Sequence, residues 1–366
     1  VRDMDYDFAS DKYTGDPLSL LSNHLFQNHQ IIDMAYQAEP DSILWCVRED
    51  GMLLSLTYLR EQEVVAWAWH DTDGEFESVW SVPGETYDEV WFVVKRGNER
   101  FIERMVQRMV SEDPRDQFFV DCGLTFDVPV VITGISSAAE AVVTATDHGF
   151  SDDDLVDISD VEGMIEVNDL RFKVSDKTDN TFKLKDPDDD TYIDSSEYET
   201  YVSGGKVRKA ETTISGLDHL AGQTVVALAD GNVVEDLLVN ENGEITLTTA
   251  ASRVHAGLPY TSDLETLNIE LNLATGTTQG RLLRIPSVEF KFLNSRGGWI
   301  GPDEDNLDEI IQRIDEALGS PIDLITDSYE QPISGDYKKG GNVFFRQTDP
   351  LPVTILSVIP RVCVGD

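Results

Sequence analysis

Apolar and polar positions alternate in short runs through the first third of the chain. Residues 42–48 and 52–58 are apolar runs on either side of Asp50-Gly51, and an Asp-Gly pair in that position is a strong hairpin signal. In residues 64–70 (VVAWAWH), Ala and Trp alternate with the period of two that marks a strand with one buried face. Further runs of this kind follow, and together they predict an antiparallel meander, as in a propeller blade or a small barrel.

Composition and turn signals divide the chain into three predicted domains. Residues 1–130 form the β-meander domain. Residues 131–210 are rich in Asp and contain no Trp, and they are predicted to be a small β-barrel inserted at an exposed loop of the host. Residues 211–366 are again β-rich, with Asp230-Gly231 and Asn242-Gly243 as hairpin turns. The predicted fold class is mainly β, multi-domain and antiparallel, with few helices.

Two segments carry the signals of a helix. Residues 306–318 place their apolar side chains on one face and end before Gly319 and Pro321, which stop helices. Residues 17–26 begin with Pro at the first helical position, after Asp16 as an N-cap. We therefore predict one clear helix near 306–318 and a shorter one at 17–26.

The charge balance limits the partners of this chain. Asp and Glu number 69 against 28 Lys and Arg, for a formal net charge of −41. Such a surface repels a polyanion, so no specific nucleic-acid binding is expected. Two explanations of the charge stay open: it keeps the protein soluble, also in a salty environment, or it forms a negative wall past which DNA slides without sticking. No run of apolar residues is long enough to span a membrane, and none is predicted to do so.

Candidate catalytic groups are scattered along the sequence. The three cysteines, Cys46, Cys122 and Cys363, have neither disulfide nor metal-site spacing. No GxSxG nucleophile elbow is present, and no two histidines are spaced to share a helix face. Since nothing nominates a nucleophile, a base or a pair of carboxylates, we predict no catalytic residues and no enzyme activity.

The strongest candidate site is an acidic segment, DPDDDTYIDSSE at 186–197. Its spacing is close to that of a helix–loop–helix calcium loop, in which hard oxygen ligands surround the ion. Thr191 stands where that loop needs Gly, and a strand precedes the segment where a helix is usual, so a solvated acidic hairpin remains the alternative. Counted from the first Asp, loop positions 1, 3, 5, 9 and 12 are carboxylates: Asp186, Asp188, Asp190, Asp194 and Glu197.

Several segments, in order along the chain, resemble the tail stabilisation (nozzle) proteins of podovirus-type phages and prophages. The longest is AYQAEPDSILWCVREDGMLLSLTYLREQEVVAWAWH at 35–70. The resemblance covers nearly the whole chain outside the predicted insert. The other segments are VWSVPG at 79–84, DEVWFVVKR at 88–96, LDHLAGQTVVALADG at 217–231, HAGLPY at 255–260, LNSRGGWIG at 293–301 and DPLPVTILSVIP at 349–360.

The insert carries a second resemblance. VVTATDHGFSDDDLVDISDVEGMIEVNDLRFKVSDKTDNTFKL at 142–184 resembles the small β-domain named after the first catalytic cysteine half-domain (FCCH) of ubiquitin-activating enzymes. Residues 131–210 contain no cysteine, so the resemblance implies no ubiquitin chemistry. It implies a spacer or docking module.

The phage resemblance implies a structural function in the virion. It implies a tail subunit, in the nozzle or tail tube, that forms a homo-oligomeric ring around part of the DNA ejection channel and contacts other tail proteins. It also implies an amino-terminal half of similar size before Val1, which would make residues 1–130 the end of a larger β-structure. Two alternatives stay open: a calcium-dependent binding or host-adhesion module of a virion, and a tail-associated glycan hydrolase.

Overall fold

The computed structural model describes residues 1–8, 11–108, 111–273, 276–312 and 321–365. The chain consists of two compact units, Val1–Gln107 (unit 1) and Arg108–Asp366 (unit 2). It is mainly β, with several antiparallel sheets, which confirms the predicted fold class. None of the helices in the described ranges is long and apolar enough to cross a membrane.

Unit 1 is built on a four-stranded sheet of order β3-β4-β5-β6 and a three-stranded sheet of order β7-β8-β9. The hairpin predicted at Asp50-Gly51 is confirmed, since β4 and β5 pair with Val47 opposite Leu53. The helix predicted at 17–26 is only a 3-10 turn, Asn23–Phe26, and a second such turn spans Arg60–Gln62. The strands are β1 (Asp5–Asp7), β2 (Lys12–Thr14), β3 (Ile31–Gln37), β4 (Ile43–Arg48), β5 (Leu53–Leu59), β6 (Val64–His70), β7 (Glu75–Val82), β8 (Glu89–Arg96) and β9 (Glu99–Arg104).

The core of unit 1 lies between these two sheets. Alternate residues of β4 and β8 point into it, because successive side chains of a strand face opposite sides. The rings of Trp45 and Phe92 meet edge to face across the core, with centroids 6.1 Å apart. A smaller cluster on the opposite face of the four-stranded sheet packs Leu25 against Cys46 and Leu54.

Unit 2 begins with a host strand and the predicted insert. The insert is a seven-stranded sheet of order β11-β17-β14-β15-β16-β13-β12, with its own core. The described residues form no closed barrel there. The two edge strands of this sheet, β11 and β12, both belong to one short segment, residues 129–135. The strands are β10 (Asp121–Asp127), β11 (Pro129–Val131), β12 (Gly134–Ile135), β13 (Val142–Thr144), β14 (Leu155–Glu162), β15 (Leu170–Ser175), β16 (Thr181–Lys185), β17 (Ser203–Lys209) and β18 (Glu211–Ile214).

The host part of unit 2 continues with a sheet of order β10-β22-β19-β20 that shares a core with the pair β18-β21. The hairpin predicted at Asp230-Gly231 is confirmed, because β19 and β20 pair on either side of it. The hairpin predicted at Asn242-Gly243 is wrong, because the strands before and after this turn belong to different sheets. The strands are β19 (Thr224–Ala229), β20 (Asn232–Leu238), β21 (Ile245–Ala251) and β22 (Arg253–Leu258).

The last part of unit 2 contains the two-stranded pair β24-β25 and two four-stranded sheets. One has the order β23-β31-β27-β28, and in the other β26 pairs with β29, β30 and β32. Their buried side chains share one core. The strands are β23 (Ser262–Glu265), β24 (Asn272–Leu273), β25 (Gly276–Thr277), β26 (Leu282–Phe292), β27 (Trp299–Asp303), β28 (Asn306–Glu309), β29 (Ser328–Pro332), β30 (Lys338–Lys339), β31 (Phe344–Gln347) and β32 (Ile355–Val364).

The helix predicted over 306–318 is wrong where the structure describes it. Asn306–Glu309 is β28, which forms a hairpin with β27 and places Glu309 opposite Trp299. Ladder hydrogen bonds to β27 replace those of a helical turn, so tertiary pairing overrides the helical spacing of the apolar residues. Residues 313–318 of the predicted helix lie outside the described residues. The other 3-10 turns of unit 2 are Pro114–Asp116, Ile165–Val167 and Asp218–Leu220.

Candidate functional site

The acidic segment 186–197 is a turn followed by a returning stretch of chain along β16. The turn closes through the amide of Asp186, which donates to the Thr191 carbonyl at 2.8 Å. The returning stretch makes a bridge between Tyr192 and Lys185, and the buried hydroxyl of Ser195 donates to the Ser136 carbonyl at 2.6 Å. The chain therefore runs away from the turn before it reaches the last two predicted ligands.

The carboxylates of this segment accept hydrogen bonds from their own neighbourhood. Asp186 accepts the amide of Asp188 at 2.8 Å, and Asp194 accepts the amide of Ser196 at 3.0 Å. Asp190 accepts the ammonium group of Lys173 at 2.8 Å. The bonds of Asp186 and Asp194 are the local turns that Asp side chains make readily, whereas the bond of Asp190 is an ion pair with Lys173 of strand β15. The hydrogen bond from Lys173 holds the pKa of Asp190 below its ordinary value, and the bonds from Ser196 do the same for Asp194.

The five predicted ligands do not form one cage. Asp186, Asp188 and Asp190 lie on the turn, whereas Asp194 and Glu197 follow the returning stretch. In the ranges that the structure describes, no group of three or more His, Cys, Asp or Glu side chains is placed to hold a metal ion. The calcium site stays a prediction. To bind one ion with all five carboxylates, the segment would have to bring Asp194 and Glu197 back to the turn.

A cleft of about 300 Å³ lies in the last part of unit 2, where a substrate of an enzyme would be sought. It is lined in part by Asp303, Asp336 and Lys338. Asp303 accepts a hydrogen bond from the Asn306 amide at 2.5 Å, and Lys338 donates to the Pro302 carbonyl at 2.9 Å. Two of its charged groups thus form hydrogen bonds within the wall of the cleft.

An exposed apolar surface lies on β3. Three of the strand's apolar residues, Ile32, Met34 and Tyr36, are exposed by 56%, 55% and 55%, whereas Ile31 and Ala35 are packed against buried clusters. Its polar residues Asp33 and Gln37 point inward. We call Ile32, Met34 and Tyr36 the outer stripe. In an ordinary half-buried strand the alternation is the reverse, with apolar side chains inside and polar ones outside.

Both inward polar residues of β3 form hydrogen bonds with neighbouring strands and loops. Asp33 accepts the Ser78 hydroxyl at 2.7 Å and the Val79 amide at 3.0 Å. Gln37 accepts the Trp45 indole N–H at 3.1 Å and donates to the Asp88 carbonyl at 3.0 Å. Because a buried polar group costs free energy unless it is bonded, this network fixes which face of β3 is outside.

The outer stripe continues an apolar face of the four-stranded sheet. Met34 lies opposite Cys46, and Cys46 lies opposite Leu54. Tyr36 is in the same way opposite Leu44. Directly opposed residues share one face of a sheet, so Met34 and Tyr36 form a single apolar surface with the small cluster around Leu25. The 3-10 turn at 23–26 covers the part over β4 and β5 and leaves the stripe over β3 exposed.

The tryptophans divide between core and surface. Trp45 is buried, whereas Trp69 and Trp80 are mostly exposed. Trp67 packs edge to face on Phe26, with ring centroids 4.9 Å apart. The outer stripe was not predicted from the sequence, although the signal was present: in IIDMAYQ the large apolar residues at 32, 34 and 36 alternate with Asp33, Ala35 and Gln37.

The comparison with protein families identifies the insert. Residues 138–211 match the ubiquitin-activating enzyme E1 FCCH domain. The insert is therefore FCCH-like, as its sequence resemblance indicated, and we call the segment from β11 to β17 the FCCH-like module. A comparison with curated proteins gives no match.

Proposed function

We propose that this chain is a structural subunit of a phage or prophage tail, in the nozzle or tail tube, where identical copies form a ring around the DNA ejection channel. The observation that carries the proposal is the outer stripe. Burying one large apolar side chain stabilises by about 1.5–3 kcal/mol relative to leaving it in water. A strand that exposes three large apolar side chains on one face, and turns hydrogen-bonded polar groups inward, is suited to a contact between subunits.

The charge and the FCCH-like module support the same proposal. A net charge of −41 disfavours adhesion of DNA to the protein, which suits the wall of a channel through which DNA passes. Like-charged subunits repel one another, so their contacts have to come from uncharged surface, and the outer stripe contains no charge. The FCCH-like module is a spacer or docking element in this proposal, and it has no cysteine for thioester chemistry.

A calcium-dependent binding or host-adhesion module is the second candidate function. The spacing of carboxylates in 186–197 favours it, and the placement of Asp194 and Glu197 beyond the turn requires a rearrangement on binding. A glycan hydrolase is the third candidate, and the charged groups of the cleft of about 300 Å³ would be its starting point.

The deciding experiment is immunogold electron microscopy. Antibody raised against this chain and coupled to gold is applied to intact phage particles from the source culture, with pre-immune antibody as control. Gold at the tail, and not on heads, is the expected result. Particles with unlabelled tails, together with signal only in free protein, would contradict the structural role and make the binding module the leading candidate.

A further inference from the structure

The FCCH-like module leaves and re-enters its host without a flexible linker. Only Val128 separates host strand β10 from module strand β11, and only Ala210 separates module strand β17 from host strand β18. The two crossings run side by side, because Pro129 pairs with Arg208. A two-stranded ribbon of this kind can still bend, so the two crossings alone would act as a hinge about which the module could rotate relative to the host.

The hinge itself carries an ion pair. Arg208, only 5% exposed, donates from Nε to the Asp127 carboxylate at 2.6 Å and from Nη1 to the Ser159 hydroxyl at 2.9 Å. Asp127 is the last residue of host strand β10, and Ser159 belongs to module strand β14. One guanidinium therefore joins both crossings to the body of the module.

A second attachment lies away from the crossings, on β15. Arg171 donates two hydrogen bonds, from Nε and Nη2, to the Asp157 carboxylate of the module, both at 2.7 Å. The same guanidinium reaches the host, where it donates to the Asp230 carboxylate at 2.9 Å and to the Ala250 carbonyl at 2.7 Å. A planar guanidinium with several N–H groups suits such a bridge, which a lysine ammonium cannot reproduce.

The host holds its side of this bridge in place independently. The Asp230 carboxylate also accepts the amides of Ser252 and Arg253 at 3.1 and 2.9 Å, and the Ser252 hydroxyl at 3.1 Å. Asp230 has a left-handed backbone conformation in the β19–β20 turn. The acceptor that meets Arg171 is thus fixed before the module contacts it, which lowers the entropy cost of the ion pair.

A third contact joins the module to the loop before β10. Arg115 donates from Nη2 to Asp169 of the module at 2.7 Å and to Asp113 of its own loop at 2.7 Å. The carbonyl oxygen of Arg115 accepts a hydrogen bond from His255 of host strand β22 at 3.0 Å. Arg115 therefore links the module to a loop that is itself bonded to the host sheet.

We infer that the FCCH-like module is a rigid arm, held in one orientation on its host by Arg171 and Arg115 in addition to the hinge at Arg208. One attachment permits rotation about the crossings, and attachments at separate places on the module remove it. The arm presents its free end at a fixed place, which a tethered domain does not. This inference does not depend on the tail proposal.

The test is a distance measurement by pulsed electron spin resonance on the full chain. Spin labels are placed at Lys177 in the module and Glu241 in the host, both exposed, through an unnatural amino acid that leaves the native cysteines unchanged. The unaltered chain is expected to give one narrow distance distribution. The double variant Arg171→Met and Arg115→Met is expected to broaden it at least twofold.

The matched control is Lys183→Met, because the ion pairs of Lys183 with Glu140 and Asp176 lie inside the module. It is expected to keep the narrow distribution. Should the double variant fail to fold, as judged by hydrogen exchange of the module core, Arg171→Lys replaces it and is expected to broaden the distribution less. A broad distribution in the unaltered chain, or a narrow one in the folded arginine variants, would overturn the inference.

Discussion

The indole N–H of Trp45 donates a hydrogen bond to the side-chain oxygen of Gln37 at 3.1 Å in the interior of unit 1. This bond joins the inward face of β3 to the neighbouring strand β4. Gln37 is held on its other side by the Asp88 carbonyl. The polar residue that a simple alternation rule would place in water is therefore a fixed part of the core, and the outer stripe faces solvent as a result.

Replacing Gln37 by Leu is expected to destabilise unit 1 by about 1–3 kcal/mol. The change leaves the buried indole N–H of Trp45 without its acceptor, and an unsatisfied buried donor costs its full desolvation penalty. Urea denaturation measures the free energy of unfolding. Gln62→Leu, at an exposed position, is the control and is expected to change it by less than about 0.5 kcal/mol. Equal effects of the two substitutions would contradict the role of Gln37.

Trp67→Ala is expected to lower the free energy of unfolding by about 3 kcal/mol. The indole packs on Phe26 and donates to the Leu18 carbonyl at 2.9 Å, and large-to-small changes leave a cavity. Trp69→Ala is the matched control on the same strand, since Trp69 is 54% exposed, and it is expected to cost less than about 1 kcal/mol. An unchanged melting temperature for Trp67→Ala would show that the packing on Phe26 contributes nothing.

Met34→Asp tests the outer stripe. Because Met34 is exposed in the single chain, the substitution is expected to leave the melting temperature of the isolated protein unchanged. A carboxylate at the centre of an apolar contact is unpaired when buried, so incorporation into particles is expected to fall at least tenfold. Immunoblots of purified particles measure incorporation, and Met34→Leu is the control that keeps it. Normal incorporation of Met34→Asp would remove the stripe from the subunit contact.

His255 is expected to make stability depend on pH. Burial lowers the pKa of the imidazole, which stands between the Thr125 hydroxyl and the Arg115 carbonyl, near Arg253, Asp116 and Asp127. Since the folded pKa is below the ordinary value of 6.5, the unfolded chain binds the proton first as pH falls. The stabilisation from neutral His255 is complete well above pH 6.5 and declines below it.

The measurement for His255 is a comparison with His255→Gln between pH 8 and pH 5. Other groups also titrate in this acidic chain, so the quantity of interest is the difference in free energy of unfolding between the two proteins. The free energy of unfolding of the unaltered protein is expected to exceed that of His255→Gln at pH 8, and this difference is expected to shrink as the pH falls. A difference that is constant with pH would assign the titration to other groups.

Calcium at about 10 mM is expected to leave the melting temperature unchanged, to within about 1 °C. A ligand that binds only the folded state raises the melting temperature, but the turn carboxylates are already bonded to backbone amides and to Lys173. Differential scanning fluorimetry with magnesium as the control cation tests this. A rise of several degrees with calcium alone, lost in Asp190→Asn, would instead support the calcium-dependent binding module.

Local turn chemistry was the most reliable guide from sequence to fold. Asp50-Gly51 and Asp230-Gly231 both lie between strands that pair, as predicted. Asn242-Gly243 has the same chemistry, and Gly243 has a φ of +69°. Its turn packs so closely on Asp218 that a Cβ there would lie 2.4 Å from the Asp218 amide nitrogen. This turn connects two sheets, because long-range packing decides which strands pair after a turn and the turn residues do not.

Side-chain spacing was less reliable than turn chemistry. The apolar residues near 306–310 fit a helix, yet the pairing of β28 with β27 makes the segment a strand. The carboxylates of 186–197 fit a calcium loop in sequence, and this site stays a prediction; the bridge between Tyr192 and Lys185 places Asp194 and Glu197 beyond the turn that carries the other three. The outer stripe escaped prediction because its polar partners become interior only through distant groups, such as the Asp88 carbonyl. The FCCH-like module was identified from its own segment of sequence and is supported by the family comparison.

The adjacent crossings also bear on how the FCCH-like module can be gained or lost in evolution. Its two ends meet at the paired residues Pro129 and Arg208, so a short turn from Val128 to Ala210 would rejoin the host strands. Asp230 would keep its three donors from Ser252 and Arg253 after the loss of Arg171. The two ends of the host chain therefore lie side by side at the insertion point, so a module of another length could stand there without a change in the distance between them.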